Sequence, residues 1–178
     1  CRAMREYFLK TERLGFSKWT ANDMELAFGL WGDPEVTKLI CASGAFTDQE
    51  VRDRLATEIR NGEVYGVQYW PIFELSTGRH AGCCGLRPHD LPNGVYELGF
   101  HLRRAMWGQG YAVEAALAVI KYAFDALGAK GLFAGHNPRN VASRTILVEK
   151  LGFTYVGDVF YPPTGLEHPS YRYRPDPK

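Results

Sequence analysis

Apolar residues recur three and four positions apart in two long stretches, and this spacing predicts two amphipathic helices. The stronger stripe follows Gly108 and stops at Gly128. Its members are Ala112, Ala115, Ala116, Val119, Ile120, Ala123 and Leu127. The other stripe follows a capping-box sequence at residues 47–50 and ends at Asn61-Gly62. Its members are Val51, Leu55 and Ile59.

Shorter apolar runs bounded by turn residues predict seven strands. They span residues 9–19, 65–75, 80–86, 95–102, 131–135, 154–161 and 170–174. Pro71 lies within the second run, which predicts an edge strand or a bulge there. A short helix capped at Thr20 follows the first strand, and a last helix runs from a cap at Asn140 to a stop before Gly152.

The order of these elements predicts a mixed α/β fold in one domain over residues 1–178. We expect a central, mostly antiparallel sheet of six or seven strands with helices on both faces. The strand–helix–strand–helix run in the middle should contain a parallel pair with a right-handed crossover. The strand pairs before and after it should be antiparallel.

Composition excludes several classes of protein. The chain has 178 residues, 46% hydrophobic and 23% charged, which is typical of a globular domain and not of a disordered one. A net charge of +1 lacks the positive excess of a dedicated nucleic-acid binder, so we expect no nucleic-acid partner. No apolar run approaches the roughly 20 residues of a membrane span, so we expect no membrane association. Charged residues interrupt the first ten positions, and we expect no signal peptide.

The four cysteines show no metal-binding spacing. Cys1 is terminal, Cys41 is isolated, and Cys83 and Cys84 are adjacent. We therefore expect no structural zinc and no other metal. Four reduced thiols would suit a cytoplasmic protein.

The loop before the long helix is the segment most suited to binding a ligand. Small residues let a backbone approach a ligand closely, and a helix first turn has unpaired N–H groups that favour an anion such as pyrophosphate. The loop is neither a Walker A sequence nor a dinucleotide fingerprint. A tight strand-to-helix turn at Gly108 and Gly110 is the competing interpretation. The segment reads Trp107-Gly108-Gln109-Gly110-Tyr111-Ala112.

Several segments, in order along the chain, resemble the GNAT superfamily of acyl-CoA-dependent N-acyltransferases. Residues 107–112 resemble its pyrophosphate motif, with Trp107 in place of the usual first residue. Residues 11–14, 96–102, 140–143 and 149–153 resemble its first strand, central strand and fourth helix. The similarity is greatest to the branch of ribosomal-protein N-terminal acetyltransferases.

Two positions depart from that branch. The distance from Ser143 to Gly152 is one residue longer, and a helical bulge would absorb the extra residue. Val148 stands where many members have a general-acid tyrosine, and valine cannot donate a proton.

The resemblance implies that a primary amine attacks the thioester of acetyl-CoA, the co-substrate. Backbone N–H groups from Gln109 to Ala112 would hold the pyrophosphate. The family interrupts its central strand, so that backbone groups at Phe100, His101 and Leu102 would face the pantetheine and the thioester. A backbone N–H near His101 is the candidate oxyanion donor. Arg103 and Arg104 would meet CoA phosphates or would be plain surface charge.

Asn140 and Ser143 are the candidates at the last helix. Asn140 would bond a pantetheine amide while it caps the helix, or it would only cap. Ser143 would protonate or hydrogen-bond the CoA sulfur, or it would be a local capping group.

The catalytic base has more than one candidate. Glu97 and His101 share a strand face but lie about 13 Å apart, at roughly 3.3 Å per residue, so both cannot touch one proton. Glu97 acting through an ordered water is the first choice. His101 has the more suitable intrinsic pKa. His136 suits a structural role, His168 borders the expected acceptor site, and a neutral amine from solution would need no base.

Two classes of function follow from the resemblance. The first is an N-acetyltransferase that acts in a ternary complex; the second is a catalytically silent CoA-binding sensor or interaction module. The acceptor is left open among small-molecule and peptide amines, including a protein N-terminus, and so is a homodimer.

Overall fold

The computed structural model describes residues 5–175, which form one eight-stranded mixed sheet. The strands are β1 Leu9–Lys10, β2 Leu14–Phe16, β3 Tyr69–Glu74, β4 His80–Asp90, β5 Val95–Leu102, β6 Gly131–Gly135, β7 Thr154–Tyr161 and β8 Leu166–Tyr173. Their order is β1-β2-β3-β4-β5-β6-β8-β7. All neighbours are antiparallel except β5 and β6, which are parallel. The expected mixed sheet with a central parallel pair is confirmed.

The helices are α1 Met24–Trp31, α2 Pro34–Thr37, α3 Asp48–Tyr65, α4 Tyr111–Asp125 and α5 Val141–Thr145. A π-helical segment, Ile146–Lys150, continues α5. One buried cluster joins the sheet to α4 and the π segment, and another joins it to α1 and α3. Helices therefore cover both faces, as expected. None of the helices within residues 5–175 has the length and hydropathy that a membrane span needs.

The count of six or seven strands was wrong because the first predicted strand is two. Residues 9–19 contain β1 and β2, which pair with each other across a tight turn. Inside that turn the Thr11 N–H donates to the Leu14 carbonyl at 2.8 Å, and the Thr11 hydroxyl accepts from the Leu14 N–H. The polar residues 11–13 interrupt the apolar run at this point.

The predicted end of α3 at Asn61-Gly62 was also wrong. The helix continues to Tyr65 and ends at Gly66, which has a φ of +72°. Gly62 lies inside the helix, where the side chain of Gln68 leaves little room for any residue larger than glycine. A Cβ there would lie 2.7 Å from Nε2 of Gln68.

Pro71 does not mark an edge strand, because β3 lies between β2 and β4. The register shift falls one residue later, between Ile72 and Phe73. The paired stretch of β2 opposite β3 stops at Ile72, so the missing Pro71 N–H removes no bond from that stretch.

The central feature of the sheet is the divergence of β5 from β6. These strands pair at only three positions, Val95 with Gly131, Tyr96 with Leu132 and Glu97 with Phe133. Beyond Glu97, β5 pairs only with β4, while β6 continues beside β8. The expected interruption of the central strand is not in β5, whose register with β4 is continuous from Tyr96 to Leu102. Backbone groups are freed instead because β6 moves away.

Candidate active site

A cavity of about 700 Å³ occupies the gap between β5 and β6. One end is formed by the glycine loop and the first turn of α4, and one wall by α5 and the π segment. The rest is formed by α2, α3, β3, β4 and the β7–β8 hairpin. The cavity thus connects the predicted cofactor loop to side chains from the first half of the chain.

The glycine loop is shaped for a ligand at the start of α4. Gly108 and Gly110 have φ of +77° and +78°, in the left-handed region that favours glycine. Gly110 is the residue before α4, and no side chain caps the helix there. The first-turn N–H groups therefore keep their donor capacity for an anion.

Arg13 stabilises this loop through contacts with Gln109 and Tyr111. Its Nη1 donates to the Gln109 carbonyl at 2.8 Å, and its guanidinium lies 4.4 Å from the centre of the Tyr111 ring. The Tyr111 hydroxyl donates to Oε2 of the Glu74 carboxylate at 2.6 Å. The side chain of Tyr111 is thus committed to the core, and only its backbone faces the loop.

Most of the predicted cofactor residues line the same cavity. They are Phe100, His101, Leu102, Trp107, Gly108, Gly110, Tyr111, Ala112, Asn140 and Ser143. Gln109 is not among the lining residues; its side-chain amide points back to the Ala105 carbonyl at 3.5 Å.

Arg103 and Arg104 do not line the cavity, and the structure assigns them other partners. Arg103 Nε donates to His80 Nδ1 at 3.0 Å, and Arg104 forms an ion pair with Asp33 at 2.8 Å. The surface-charge interpretation fits Arg104, while Arg103 has a structural role.

The start of α5 leaves two polar groups free toward the cavity. Asn140 Oδ1 accepts from the Ser143 N–H at 3.0 Å, so Asn140 caps the helix. Among residues 5–175, neither Asn140 Nδ2 nor Ser143 Oγ has a hydrogen-bond partner, and neither atom is buried from solvent. Both remain available to a ligand.

The expected helical bulge is present. The Leu151 N–H donates to the Ile146 carbonyl at 2.9 Å, a five-residue step that defines π geometry. This step absorbs the extra residue between Ser143 and Gly152. Val148 is exposed and lies outside the cavity, whereas Leu147 is buried and lines it.

Glu97 lines the cavity and is half-buried. Burial raises the pKa of its carboxyl above the ordinary value, while Arg87, His89 and Arg54 oppose the rise. A carboxylate with a raised pKa is a stronger base, so the environment suits proton removal.

His101 has the opposite character. It lies across from Cys83 on the sheet face covered by α1 and α3, as the strand alternation predicts. Its Nδ1 accepts from Trp31 Nε1 at 3.2 Å, which leaves the proton on Nε2. Burial, with Arg54 and Arg87, holds its pKa well below the ordinary value. The ring therefore offers an N–H to the cavity and is a poor base.

The two remaining candidate histidines, His136 and His168, have hydrogen-bond partners within the fold. His136 contacts the Asn137 carbonyl through Nδ1 at 2.7 Å and the Tyr171 hydroxyl through Nε2 at 2.9 Å, which suits the structural role. His168 lines the cavity, with Nε2 2.6 Å from the Thr164 hydroxyl.

Tyr69 is one of the cavity residues that the sequence did not predict. Its side chain lines the cavity at 5% exposure and packs over Gly99, where a Cβ would collide with the phenol ring. The signal was a glycine in the middle of a strand, which marks a close approach by another group. The identity of that group could not be inferred, because Tyr69 and Gly99 pair with the same strand from opposite sides.

The sequence of this chain matches the family model for the acetyltransferase (GNAT) domain over residues 13–154. The chain belongs to the GNAT acetyltransferase family. It is 33% identical to an N-acetyltransferase named p20 from Bacillus licheniformis, over 78% of each chain. It is 30% identical to the FsC-acetyl coenzyme A-N(2)-transacetylase of Aspergillus fumigatus, over 93% of this chain and 74% of that protein.

Solved structures share the fold of this acetyltransferase. An acetyltransferase from Agrobacterium tumefaciens superposes with a TM-score of 0.77 at 25% identity, over 98% of this chain and 100% of the other. RimL, a ribosomal L7/L12 α-N-protein acetyltransferase solved in complex with coenzyme A, gives 0.78 at 15% identity, over 95% and 98%. RimL thus shares the fold of this chain.

Within residues 5–175, no group of three or more His, Cys, Asp or Glu side chains is placed to hold a metal ion. Cys41, Cys83 and Cys84 are free thiols, and Cys1 lies outside the described residues.

Proposed function

We propose that this acetyltransferase transfers the acetyl group of acetyl-CoA to a primary amine in a ternary complex. The observation that carries the proposal is the single cavity that joins the uncapped start of α4 to Glu97. Family membership and the coenzyme A in the related RimL fold support the choice of co-substrate.

The residues fit acetyl-CoA at three places. The backbone from Gly108 to Ala112 would receive the pyrophosphate, since the loop has no competing cap and carries the positive end of the helix dipole. Asn140 Nδ2 and the free edge of β5 at Phe100–Leu102 would bond the pantetheine amides. Acetyl-CoA supplies an activated carbonyl and a thiolate leaving group.

The remaining roles fall to groups of this chain. Glu97, directly or through water, takes the ammonium proton of the acceptor, so that the nitrogen lone pair is free to attack the carbonyl carbon. A backbone N–H near His101 donates to the developing oxyanion. The carbon–sulfur bond breaks as the amide forms, and the proton that the nitrogen then loses passes through solvent to the departing thiolate, which becomes the free thiol of CoA. Ser143 Oγ hydrogen-bonds the departing sulfur.

An amine screen tests the proposed activity. The protein is incubated with acetyl-CoA and a panel of amino acids, peptides, polyamines and aminoglycosides, and both free thiol and acetylated amine are measured. Equal amounts of the two products are expected for the true acceptor class. Tight acetyl-CoA binding without turnover of any amine would contradict the proposal and favour the silent CoA-binding module.

A matched pair of variants tests the loop. Gly108→Asp adds a carboxylate to the cavity-lining loop where the pyrophosphate is expected, at a position where an added Cβ meets open space, and should abolish acetyl-CoA binding in calorimetry. Gly78→Asp is the control, because Gly78 has the same left-handed backbone, with a φ of +75°, in an open turn outside the cavity. Equal acetyl-CoA affinity in both variants would remove the loop from the binding site.

A further inference from the structure

Three side chains from α3 and β4 form a charge cluster beside the cavity. Glu58, fully buried, accepts from Arg54 Nε at 2.8 Å and from Arg87 Nη2 at 2.9 Å through the same oxygen, Oε2. Its other oxygen accepts from the Tyr69 N–H at 2.9 Å. The two guanidinium groups are thereby fixed in place before any ligand binds.

This cluster has a positive charge left over. One buried carboxylate serves two guanidinium groups, whose side chains are 13% and 25% exposed. Both arginines line the cavity. Among residues 5–175, Nη1 of Arg54 and Nη1 of Arg87 have no hydrogen-bond acceptor, and neither atom is sealed from solvent.

The free guanidinium edges lie next to the proposed reaction centre. Arg87 and Glu97 are register partners across β4 and β5, on the same sheet face. Within the described residues they do not form an ion pair, because their charged atoms are more than 4 Å apart. Tyr69 lies under both arginines, with its ring centre 4.3 Å from Arg87 Cζ and 5.3 Å from Arg54 Cζ.

A cavity wall with the Glu97 carboxylate beside two guanidinium groups that share the single carboxylate of Glu58 complements a zwitterion. The ammonium of the acceptor faces Glu97, and an acidic group on the same molecule faces the arginines. On each arginine one further nitrogen is buried, Nη2 of Arg54 and Nε of Arg87, so Nη1 is the accessible donor. A carboxylate would accept a charge-assisted hydrogen bond from each Nη1, which also fixes the direction of the bound molecule.

We propose that the acceptor is a small primary amine with a carboxylate next to it, as in a free α-amino acid, and that Arg54 and Arg87 bind this carboxylate. The inference rests on the proposed function, since it names the acceptor class of the same site. A cation without an acidic group, such as a polyamine, is repelled by the same cluster.

The first experiment uses the unchanged protein with matched substrates. Free amino acids are compared with their α-carboxamides, and kcat/KM is corrected at each pH for the fraction of neutral amine. We expect the acids to be at least tenfold better. Amides that react as well as acids would overturn the inference while leaving the proposed function intact. A preference for 2-aminoethyl phosphate over β-alanine would also overturn it, in favour of a phosphate-bearing acceptor.

A binding measurement separates the inference from catalysis. N-acetylated amino acids and their amides are titrated into protein saturated with CoA. Binding of the acids alone supports the carboxylate site even if the amine screen shows no turnover, in which case only the proposed function fails. Equal binding of acids and amides overturns the inference.

A variant then tests the arginines themselves. Arg87→Gln should lower the ratio of kcat/KM for acid over amide at least tenfold, mainly through KM. Arg52→Gln is the control, because Arg52 is exposed on the same helix as Arg54 but outside the cavity. If Arg87 had a purely structural role, Arg87→Gln would lower kcat/KM for the acid and the amide equally, and the ratio would not change. If Arg87→Gln does not fold, the substrate comparison and the binding titration on the unchanged protein still test whether the site binds a carboxylate.

Discussion

Desolvation acts in opposite directions on the two titratable residues that β5 presents to the cavity. Burial raises the pKa of Glu97 because its charged form is an anion, and lowers the pKa of His101 because its charged form is a cation. The same environment thus strengthens the carboxylate as a base and holds the imidazole neutral. This physical argument favours Glu97 over His101 as the proposed base.

Glu97→Gln should lower kcat/KM by about 10²–10⁴-fold near neutral pH, because general-base catalysis is typically worth that much. The loss should shrink as pH rises, since more acceptor then arrives as neutral amine. The measurement is the pH profile of kcat/KM with an acceptor of known amine pKa. The control is Glu167→Gln, an exposed carboxylate outside the cavity. A small loss that does not change with pH would make Glu97 a positioning residue.

Ser143→Ala should reduce kcat by about 10²-fold while acetyl-CoA affinity stays within a few-fold, because a group that acts on the departing sulfur stabilises mainly the transition state. Pre-steady-state kinetics must first establish that chemistry limits kcat. Val148→Ala, at an exposed position of the same helical run, is the control. An unchanged kcat, or a parallel loss of affinity, would leave Ser143 as a cap or a binding residue.

At the residue scale, local sequence motifs pointed to residues that line the cavity. The loop glycines, Asn140 and Ser143 each belong to short motifs, and all of them line the cavity. The sequence did not predict three cavity residues, Tyr69, Arg54 and Arg87. Each lies in a strand or helix whose sequence reveals only which positions are apolar and buried. Their meeting depends on the pairing of β3 with β4 and on α3 crossing that face. No spacing along the chain records that arrangement.

At the scale of elements, turn chemistry determined which boundaries were predictable. The bounds of β5, β6 and β7 match the prediction, because glycines or polar turns flank each of them. The end of α3 was not predictable, since Asn61-Gly62 has the composition of a helix stop. Gly62 instead meets a spatial constraint from Gln68, which is a tertiary contact.

The π segment predicts an unusual tolerance to deletion. Removing Val148 should restore regular α geometry and keep Leu147 and Leu151 in the core, because the π step is equivalent to a one-residue insertion. We expect the melting temperature to change by only a few degrees. Removing Leu117, equally exposed in the regular helix α4, should unfold the protein, since every later core residue turns by about 100°. Thermal unfolding by circular dichroism checks both; similar melting temperatures for the two deletions would contradict this account.

At the scale of the whole molecule, buried neutral histidines make stability sensitive to mild acid. Burial, with the nearby Arg103, lowers the pKa of His80 to about 3. The unfolded chain binds a proton at this histidine below about pH 6.5, while the folded chain does so only near pH 3. The free energy of unfolding is therefore retained above pH 6.5 and falls as the pH drops below that value. The lowered pKa values of His101, His136 and His168 act in the same direction.

His80→Asn should flatten this dependence. Asparagine keeps an acceptor for Arg103 Nε but does not titrate, so the slope of unfolding free energy between pH 6 and 5 should fall by about 1.4 kcal/mol per pH unit. Urea unfolding at several pH values provides the slope. The unchanged protein, unfolded in parallel at the same pH values, gives the reference slope. This range of pH 5 to 6 lies above the pH values at which the lowered pKa values of Glu58 and Asp23 change the free energy of unfolding. An unchanged slope in His80→Asn would show that His80 is protonated in the folded state.

The three-residue contact between β5 and β6 also has a mechanical meaning. It divides the sheet into a five-stranded and a three-stranded plate, which adjoin along a short seam and share α4 as a common backing. The β3–β4 and β4–β5 ladders on one side and the β7–β8 ladder on the other are longer than this seam, so we expect the sheet to bend more easily at the seam than within these ladders. A ligand that contacts both parts of the sheet would restrict their motion relative to each other, so the sheet should be more rigid when the cavity is occupied.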